Sequence, residues 1–434
     1  QHHSHSSGSI SESFNDSRTH HQMHNAALNY TSGFGFRAGA DYTNFTSTDT
    51  QNFFDRSPEE VETRFVSRSN QHIDRWKIYA DQNHSLPHDW TLNYGTSFSY
   101  VHNRNIQDYD LPEMQDQNLY NRIREYTYNV YAGFDKPFNS QWTLSASAAL
   151  EYYQMQDYRK WAVYPTLQLN YMPSASHILQ LSFSSDKTYP DYWTLSGATS
   201  YLNGYNESVG NPFLRPYTEY DADLTYILKS KYIFQVSYSY TPDYFMQTVY
   251  LDSDRLKAIY NWQNWDYSQE LAFTAILPFK VGHWWDSRLT LQASLKHDKA
   301  SAYYDAPFNQ QQWVGVGHWT HTFQLCRRPN LKMEVTAFGQ TQSIQGSYDI
   351  QPVAFVDAAL RYTFAKDRAM LQLKGSDIFN TMNPKTRVRN GAQYLDMNTK
   401  SYLQSITLSF SYRFGGYKKK EVKDVDTSRF GNHS

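Results

Sequence analysis

The segment between Asp186 and Pro216 gathers residue types that bind small polar ligands. Its candidates for ligand contact are Tyr189, Tyr192, Trp193, Tyr201, Tyr205 and Asn211. Aromatic rings in a water-filled opening can stack on a sugar or a peptide, while side-chain amides supply directional hydrogen bonds. The alternative is that these rings pack the segment on itself or against a lipid interface. The sequence leaves both interpretations open.

Metal binding and catalysis receive less support from the residues. Imidazoles, which suit zinc, copper, nickel or iron, cluster at His2, His3, His5, His20, His21 and His24. A polar loop, or the remainder of a purification tag, explains the same cluster, and we assign no metal and no cofactor. The chain has no Gly-x-Ser-x-Gly, His-Glu-x-x-His or phosphate-loop motif, so we assign no catalytic residue and expect no enzyme. The single cysteine, Cys326, forms no intrachain disulfide.

The composition of the chain excludes several classes of protein that could hold such residues. The 434 residues carry 40 basic and 42 acidic side chains, without the basic excess of a nucleic-acid-binding protein. Aromatic residues make up 17% of a chain that is poor in aliphatic residues, which argues against a large water-soluble core. No run of 18 apolar residues predicts a membrane helix, and residues 1–8 lack the hydrophobic region of a signal peptide. An all-β chain remains.

Period-two alternation runs through the chain and predicts β-strands with one apolar and one polar face. In the strand predicted at 406–414, isoleucine, leucine and aromatic residues alternate with threonine, serine and arginine. The same rule holds at 144–152, 220–226, 232–240 and 289–295. On the polar faces lie the charged residues Glu151, Asp221, Asp223, Lys296, Lys374 and Arg413.

Short and long connections alternate between these strands. Turn residues mark short connections at 32–33, 85–88, 137–140, 173–176, 229–231, 280–283, 328–330 and 366–367. Longer polar connections are predicted at 47–70, 104–122, 154–161, 186–217, 245–264, 299–312, 342–353 and 382–401. Tight turns on one side and long loops on the other are typical of an outer-membrane β-barrel.

The barrel interpretation gives about 17 antiparallel strands, at roughly 25 residues each with the loop included. The first clear strand is predicted at 22–31, and a short strand at 9–14 would make the number even. Aromatic residues at strand ends predict two belts at the membrane interfaces. The outer belt is assigned to Tyr260, Trp262, Trp265 and Tyr267, and the inner belt to Trp142, Trp284 and Trp285.

Three motifs resemble those of TonB-dependent outer-membrane receptors. The segment 210–216, Gly-Asn-Pro-Phe-Leu-Arg-Pro, is similar to the family's GNPxLxPE motif, with the acidic residue displaced to Glu219. The motif positions are Gly210, Asn211, Pro212, Leu214 and Pro216. The segment ending in Phe379 and Asn380 resembles the penultimate-strand signature NLFN. The ending Ser-Tyr-Arg-Phe-Gly-Gly at 411–416, with its lysine-rich tail, resembles the outer-membrane barrel branch common in Bacteroidetes, which are Gram-negative.

The resemblance implies a ligand transporter of the outer membrane. Family members have 22 strands closed around an N-terminal plug, so residues 1–415 would form the later strands and 416–434 a flexible periplasmic tail. The implied partners are outer-membrane lipid, the TonB complex through an absent N-terminal region, a surface lipoprotein, and a small ligand of unspecified class. On this interpretation the first and last strands do not pair.

Two other classes fit the alternation as well. A passive porin-like or structural barrel of about 16 to 18 strands would be complete as given, and a signal peptide encoded directly before Gln1 would favour it. A soluble β-rich carbohydrate-binding protein would be recovered without detergent.

Overall fold

The computed structural model describes residues 2–6, 9–56, 62–391, 393–398, 403–415 and 425–430, with side chains from Ser13 onward except at position 389. The strands are numbered β1 to β26 in chain order. No helix in these ranges is long and apolar enough to span a membrane. Within the same ranges the helical segments are four 3-10 turns: η1 (Pro87–Asp89), η2 (Pro112–Gln117), η3 (Thr194–Ser196) and η4 (Ser428–Phe430).

A single antiparallel sheet forms the wall, and each of its strands is hydrogen-bonded to the next wall strand along the chain. After β1 (His2–Ser6), which pairs with the outer end of β2, the wall strands are β2 (Ser9–Thr31), β3 (Phe36–Arg56), β4 (Glu62–Ser85), β5 (Thr91–Tyr109), β6 (Leu119–Pro137), β7 (Trp142–Met155), β8 (Tyr158–Ser174), β9 (His177–Thr188), β12 (Tyr217–Leu228), β13 (Tyr232–Pro242), β16 (Tyr267–Val281), β17 (Trp285–Ala300), β18 (Phe308–Cys326), β19 (Asn330–Gln340), β22 (Val353–Phe364), β23 (Ala369–Ser376) and β26 (Ser405–Tyr412). The predicted fold class and its 17 wall strands are confirmed.

The outer connections contain two further four-stranded sheets. The first has the order β10 (Thr199–Asn203), β11 (Asn206–Val209), β15 (Lys257–Asn264), β14 (Phe245–Asp252). The second has the order β20 (Ser343–Gln345), β21 (Tyr348–Ile350), β24 (Lys385–Asn390), β25 (Gln393–Asn398). Because β11 pairs with β15, the first sheet joins two connections that are separate in sequence.

All eight predicted short turns lie at one end of the wall, between β2–β3, β4–β5, β6–β7, β8–β9, β12–β13, β16–β17, β18–β19 and β22–β23. Backbone conformation and side-chain hydrogen bonds stabilise these turns. Lys229 and Ser230 both have a φ of 54°, the left-handed conformation of a tight hairpin turn. The Asn139 side chain accepts from the backbone N–H groups of Gln141 at 2.8 Å and Trp142 at 2.9 Å.

Some predicted long connections are wrong. At 154–161, β7 and β8 pair up to Met155 and Tyr158, so only a two-residue turn connects them. At 47–70, β3 and β4 remain paired out to Arg56 and Glu62. The predicted short strand at 9–14 is the outer end of β2, which pairs with β3 from Glu12 onward. Strand ends that project beyond the lipid meet water on both faces, so they lose the apolar alternation while keeping their hydrogen bonds.

The wall has an apolar outer face and a polar inner face, as the alternation predicts. Large apolar side chains are exposed on the outer face: Val130, Leu150, Leu224, Leu291 and Leu373 are each between 46% and 57% exposed. On the inner face, Glu125 and Glu151 are buried, at 3% and 5% exposure. The inner-belt residues Trp142 and Trp284 lie beside short turns and are exposed.

The sheet is not closed. In the described residues, β2 pairs with β1 and β3, and β26 pairs with β23 alone. The prediction that the first and last wall strands do not pair is therefore confirmed, and among the described residues β2 and β26 each leave one strand edge with unpaired backbone groups.

Candidate functional site

Side-chain amides of the wall hold the connection 189–216 inside the barrel mouth. The Gln107 amide accepts from Thr199 N–H at 3.0 Å and donates to Thr199 C=O at 2.7 Å. Gln51 binds Tyr201 in the same way: it accepts from the backbone N–H at 3.1 Å and donates to the C=O. Because Thr199 and Tyr201 are two residues apart, the same side of β10 faces both amides. Each glutamine thus takes the place of a strand neighbour.

The same device recurs at two other points of the mouth. Asn264 accepts from Arg215 N–H at 3.0 Å and donates to Arg215 C=O at 2.9 Å. Gln393 accepts from Leu251 N–H at 2.6 Å and donates to Leu251 C=O at 2.9 Å. A side-chain amide has both an NH2 group that donates and a carbonyl oxygen that accepts, so it satisfies backbone groups that would otherwise be buried without partners.

The segment 210–216 anchors this connection to the wall. Leu214 is fully buried against Ile123, Tyr153 and Trp262. A Cβ at Gly210 would lie 2.8 Å from the backbone of the preceding loop, so the close approach requires glycine there. Asn211 donates from its side chain to Trp262 C=O at 2.8 Å. The motif residues therefore have a structural role in the loop.

A cavity of about 250 Å³ lies between the anchored loop and the inner wall. Its lining comprises Thr19, His21, Phe45, Ser47, Asp49, Ser69, Asn70, Gln71, Asn105, Ile106, Leu119, Trp193, Ser196, Ala198, Thr199, Ser200, Ser208, Gly210, Trp262 and Phe430. Two tryptophans form its aromatic part: the rings of Trp193 and Trp262 meet edge to face with centroids 4.8 Å apart. The lining combines aromatic surface with amides and hydroxyl groups, which is the chemistry of a site for a polar ligand.

The amides of the cavity leave hydrogen-bonding capacity unused. Asn105 is 2% exposed and donates to Asn121 at 2.7 Å, but its own Oδ1 has no partner. Asn103 lies outside the lining but accepts from the lining residue Gln71; it is 1% exposed, and its Nδ2 also lacks a partner. A buried polar atom without a partner costs about 1–3 kcal/mol, which a hydrogen bond from a ligand or a water molecule recovers.

Two glutamates on the inner wall organise a network beneath the loop. Glu151 accepts from Lys187 and, at 2.8 Å, from the Tyr189 hydroxyl. Glu125 accepts from the Tyr153 hydroxyl at 2.7 Å. Burial raises the pKa of Tyr189, and the negative charge of Glu151 raises it further, so this phenol stays protonated and donates. The network ties β6, β7 and the end of β9 to the loop.

The structure separates the six candidate ligand contacts. Trp193 lines the cavity and is 39% exposed. Tyr201 is buried among Phe53, Phe65 and Tyr109, and the remaining candidates, Tyr189, Tyr192, Tyr205 and Asn211, do not line the cavity.

Sequence reasoning missed several cavity residues, notably Gln71, Asn105 and the lining role of Trp262. Their signal is weak, because an amide on a polar strand face looks like ordinary wall solvation. The outer-belt prediction is wrong for Trp262 and Trp265, which are 9% and 2% exposed. Trp262 lies in the loop strand β15 and Trp265 directly follows it, and both rings pack into buried clusters at the mouth.

The second motif also forms a turn. Phe379 is 68% exposed, and Asn380 has a φ of 53° at the outer end of β23. The buried Asp377 carboxylate accepts from the backbone N–H groups of Thr381 at 2.9 Å and Met382 at 3.1 Å. Within the described ranges, no cluster of three or more histidine, cysteine or acidic residues is placed to hold a metal ion. The side chains of His2, His3 and His5 lie outside the described residues.

The fold is that of an outer-membrane β-barrel. The chain belongs to the Outer membrane protein beta-barrel family: residues 29–412 match the sequence pattern of that family. The protein is therefore located in the outer membrane. No curated protein matches the sequence.

Solved structures of iron-uptake receptors are similar in fold. A variant of the FrpB iron transporter from Neisseria meningitidis is 10% identical, with a TM-score of 0.54, over 91% of this chain and 73% of that one. A mutant of the ferric enterobactin receptor PfeA from Pseudomonas aeruginosa is 11% identical, with a TM-score of 0.51, over 91% and 70%. A second PfeA structure, 11% identical with a TM-score of 0.48 over 83% of this chain, is covered over 65% of its length. The chain thus spans about two thirds of these receptors, and the likeness shows the fold alone.

Proposed function

We propose that this chain is the wall of a TonB-dependent transporter, which binds a ligand at the cell surface and passes it to the periplasm. The observation that carries the proposal is the cavity of about 250 Å³, which the mouth loop and the inner wall enclose together. A passive pore has no need of a loop fixed by buried amides at Gln51 and Gln107, whereas a receptor needs a preformed site.

The open sheet supports a second part of the proposal, that further strands complete the barrel. Unpaired backbone groups cost several kcal/mol each in hydrocarbon, so a sheet edge facing lipid must be paired. We propose that additional strands pair with the free edges of β2 and β26, and that a plug domain occupies the lumen and contacts TonB. A lipoprotein lid over the mouth completes the proposal.

The lining favours an uncharged polar ligand. Asp49 and His21 are the only titratable residues among the lining residues, and amides, hydroxyl groups and two tryptophans surround them. The proteins of similar fold include the ferric enterobactin receptor PfeA, the FrpB iron transporter and the pyoverdine receptor FpvA, so siderophores belong among the ligands to be tested. Sugars and short peptides suit the same aromatic and amide chemistry.

A ligand screen on the native protein, purified from outer membranes, tests this function. Ferric siderophores, oligosaccharides and peptides would be titrated while tryptophan fluorescence is followed. Trp193→Ala should weaken binding at least tenfold, and Trp161→Ala, which removes a 66% exposed ring on β8, should leave it unchanged. Equal effects of both variants would contradict the assignment of the cavity.

Conductance distinguishes the transporter from the passive porin-like barrel. In a planar bilayer, the native transporter should stay closed to ions, because the proposed plug fills its lumen. Stable open channels in most insertions would favour the passive barrel.

A further inference from the structure

The C-terminal residues Val425–Phe430 lie against the inner wall of the barrel. Val425 and Asp426 line a cavity together with Lys77 of β4, and Asp426 C=O accepts from Arg75 at 2.7 Å. Phe430 packs with Ile73. Along β4, these contacts move stepwise from residue 77 to residue 73, so the segment runs outward up the lumen. The part of the expected periplasmic tail that the structure describes is therefore docked.

Arg429 occupies a site built for a guanidinium group. Its Nη1 and Nη2 atoms donate to the two carboxylate oxygens of Glu125 at 2.9 and 3.1 Å. Nη2 also donates to Pro190 C=O at 2.8 Å, and Nη1 to the Tyr192 hydroxyl at 3.2 Å. The guanidinium carbon lies 4.8 Å from the ring centre of Tyr189 and 4.2 Å from that of Tyr192. A fork-to-fork pair between aromatic rings is specific for arginine over lysine.

Phe430 fills an adjoining apolar site. It is 4% exposed and packs against Phe45, Ile73, Val101 and Tyr192. Its ring centre is 5.6 Å from that of Phe45 and 5.1 Å from that of Tyr192. Backbone contact completes the docking, because Tyr192 N–H donates to Arg429 C=O at 3.3 Å.

The chain is long enough for this path. Ten residue steps separate Gly415 from Val425, which span about 33–36 Å when extended. Lys77 lies eight residues from the inner end of β4, which is about 27 Å along the strand and less along the barrel axis, because strands tilt by about 35–45°.

We propose that the inner wall carries a binding site for an arginine–aromatic peptide, and that this chain's own segment Val425–Phe430 occupies it and forms the floor of the ligand cavity. Phe430 is itself among the lining residues of that cavity. The docking stands on its own contacts and is independent of the proposed transport.

Cross-linking tests the docking in the full-length protein. In a Cys326→Ser background, cysteines at Phe45 and Phe430 would be treated with a short bis-methanethiosulfonate reagent, and the products mapped by mass spectrometry. The pair should cross-link at high yield. A control pair of Phe430→Cys with Leu150→Cys, on the outer face, should not. Equal yields for the two pairs would overturn the proposal.

Charge specificity is tested on the same cysteine pair. Glu125→Gln should reduce the cross-linking yield at least fivefold, and Arg429→Lys should have an intermediate effect. The control is Glu334→Gln, which removes a carboxylate paired with a different arginine, Arg361, at 3.2 Å. Heat-modifiable migration on gels would establish that each variant is folded. An unchanged yield in folded Glu125→Gln protein would show that the guanidinium site does not hold the segment.

Discussion

The amide anchors predict that one side chain controls the order of the mouth loop. In Gln107→Met, the volume is nearly kept, but Thr199 N–H and C=O lose their partners at a site where Gln107 is 2% exposed. Each buried group left unpaired costs about 1–3 kcal/mol, so the docked loop should lose about 2–4 kcal/mol once partial access of water is allowed. The local opening equilibrium should then rise roughly 30- to 1000-fold.

Hydrogen exchange measured by mass spectrometry on the protein in detergent would follow this change. Amides of β10 and β11 should exchange faster by that factor, while wall strands keep their protection. Gln168→Met is the matched control, because Gln168 lies exposed on β8. Unchanged exchange at 199–209 in Gln107→Met, or an equal increase in the control, would refute the anchoring role.

Three further predictions concern residues of the outer connections. Leu214→Ala should destabilise the docked loop by about 2–5 kcal/mol in denaturant unfolding, and Phe213→Ala, at 84% exposure, should change stability by less than about 0.5 kcal/mol. Gly210→Ala should increase proteolysis of the loop, because a Cβ there meets backbone at 2.8 Å, whereas Gly339→Ala, with no atom within 4 Å, should not. Burial raises the pKa of Tyr348 to about 12. The protonated phenol therefore contributes its full stabilisation below pH 10 and loses it as the pH rises through about 12. In an ultraviolet pH titration, Tyr348→Phe should show one fewer tyrosine ionising near pH 12 than the native protein.

The sequence predicts the fold best where the strands contact lipid. Where one face must be apolar and the other wet, the alternation marks strands such as 144–152 and 289–295, and the turn residues between them mark the inner end. Beyond the lipid this constraint ends, so the outer halves of β3 and β4 looked like loops.

The candidate site is less predictable because its key residues have no distinctive pattern. Gln51 and Gln107 alternate like any polar residue of the lumen, and only tertiary structure gives them a backbone partner. Trp262 carries the same signal as a belt residue, yet it is buried in the mouth. The docking of Arg429 depends on Glu125, more than 300 positions away, and no local pattern joins the two.

Capture of TonB tests the central claim most directly. The periplasmic domain of TonB from the same bacterium would be immobilised and exposed to the native protein from outer membranes, in detergent. The transporter account predicts specific retention that increases when a ligand identified by the tryptophan screen is added. No retention, together with stable open channels in planar bilayers, would contradict it.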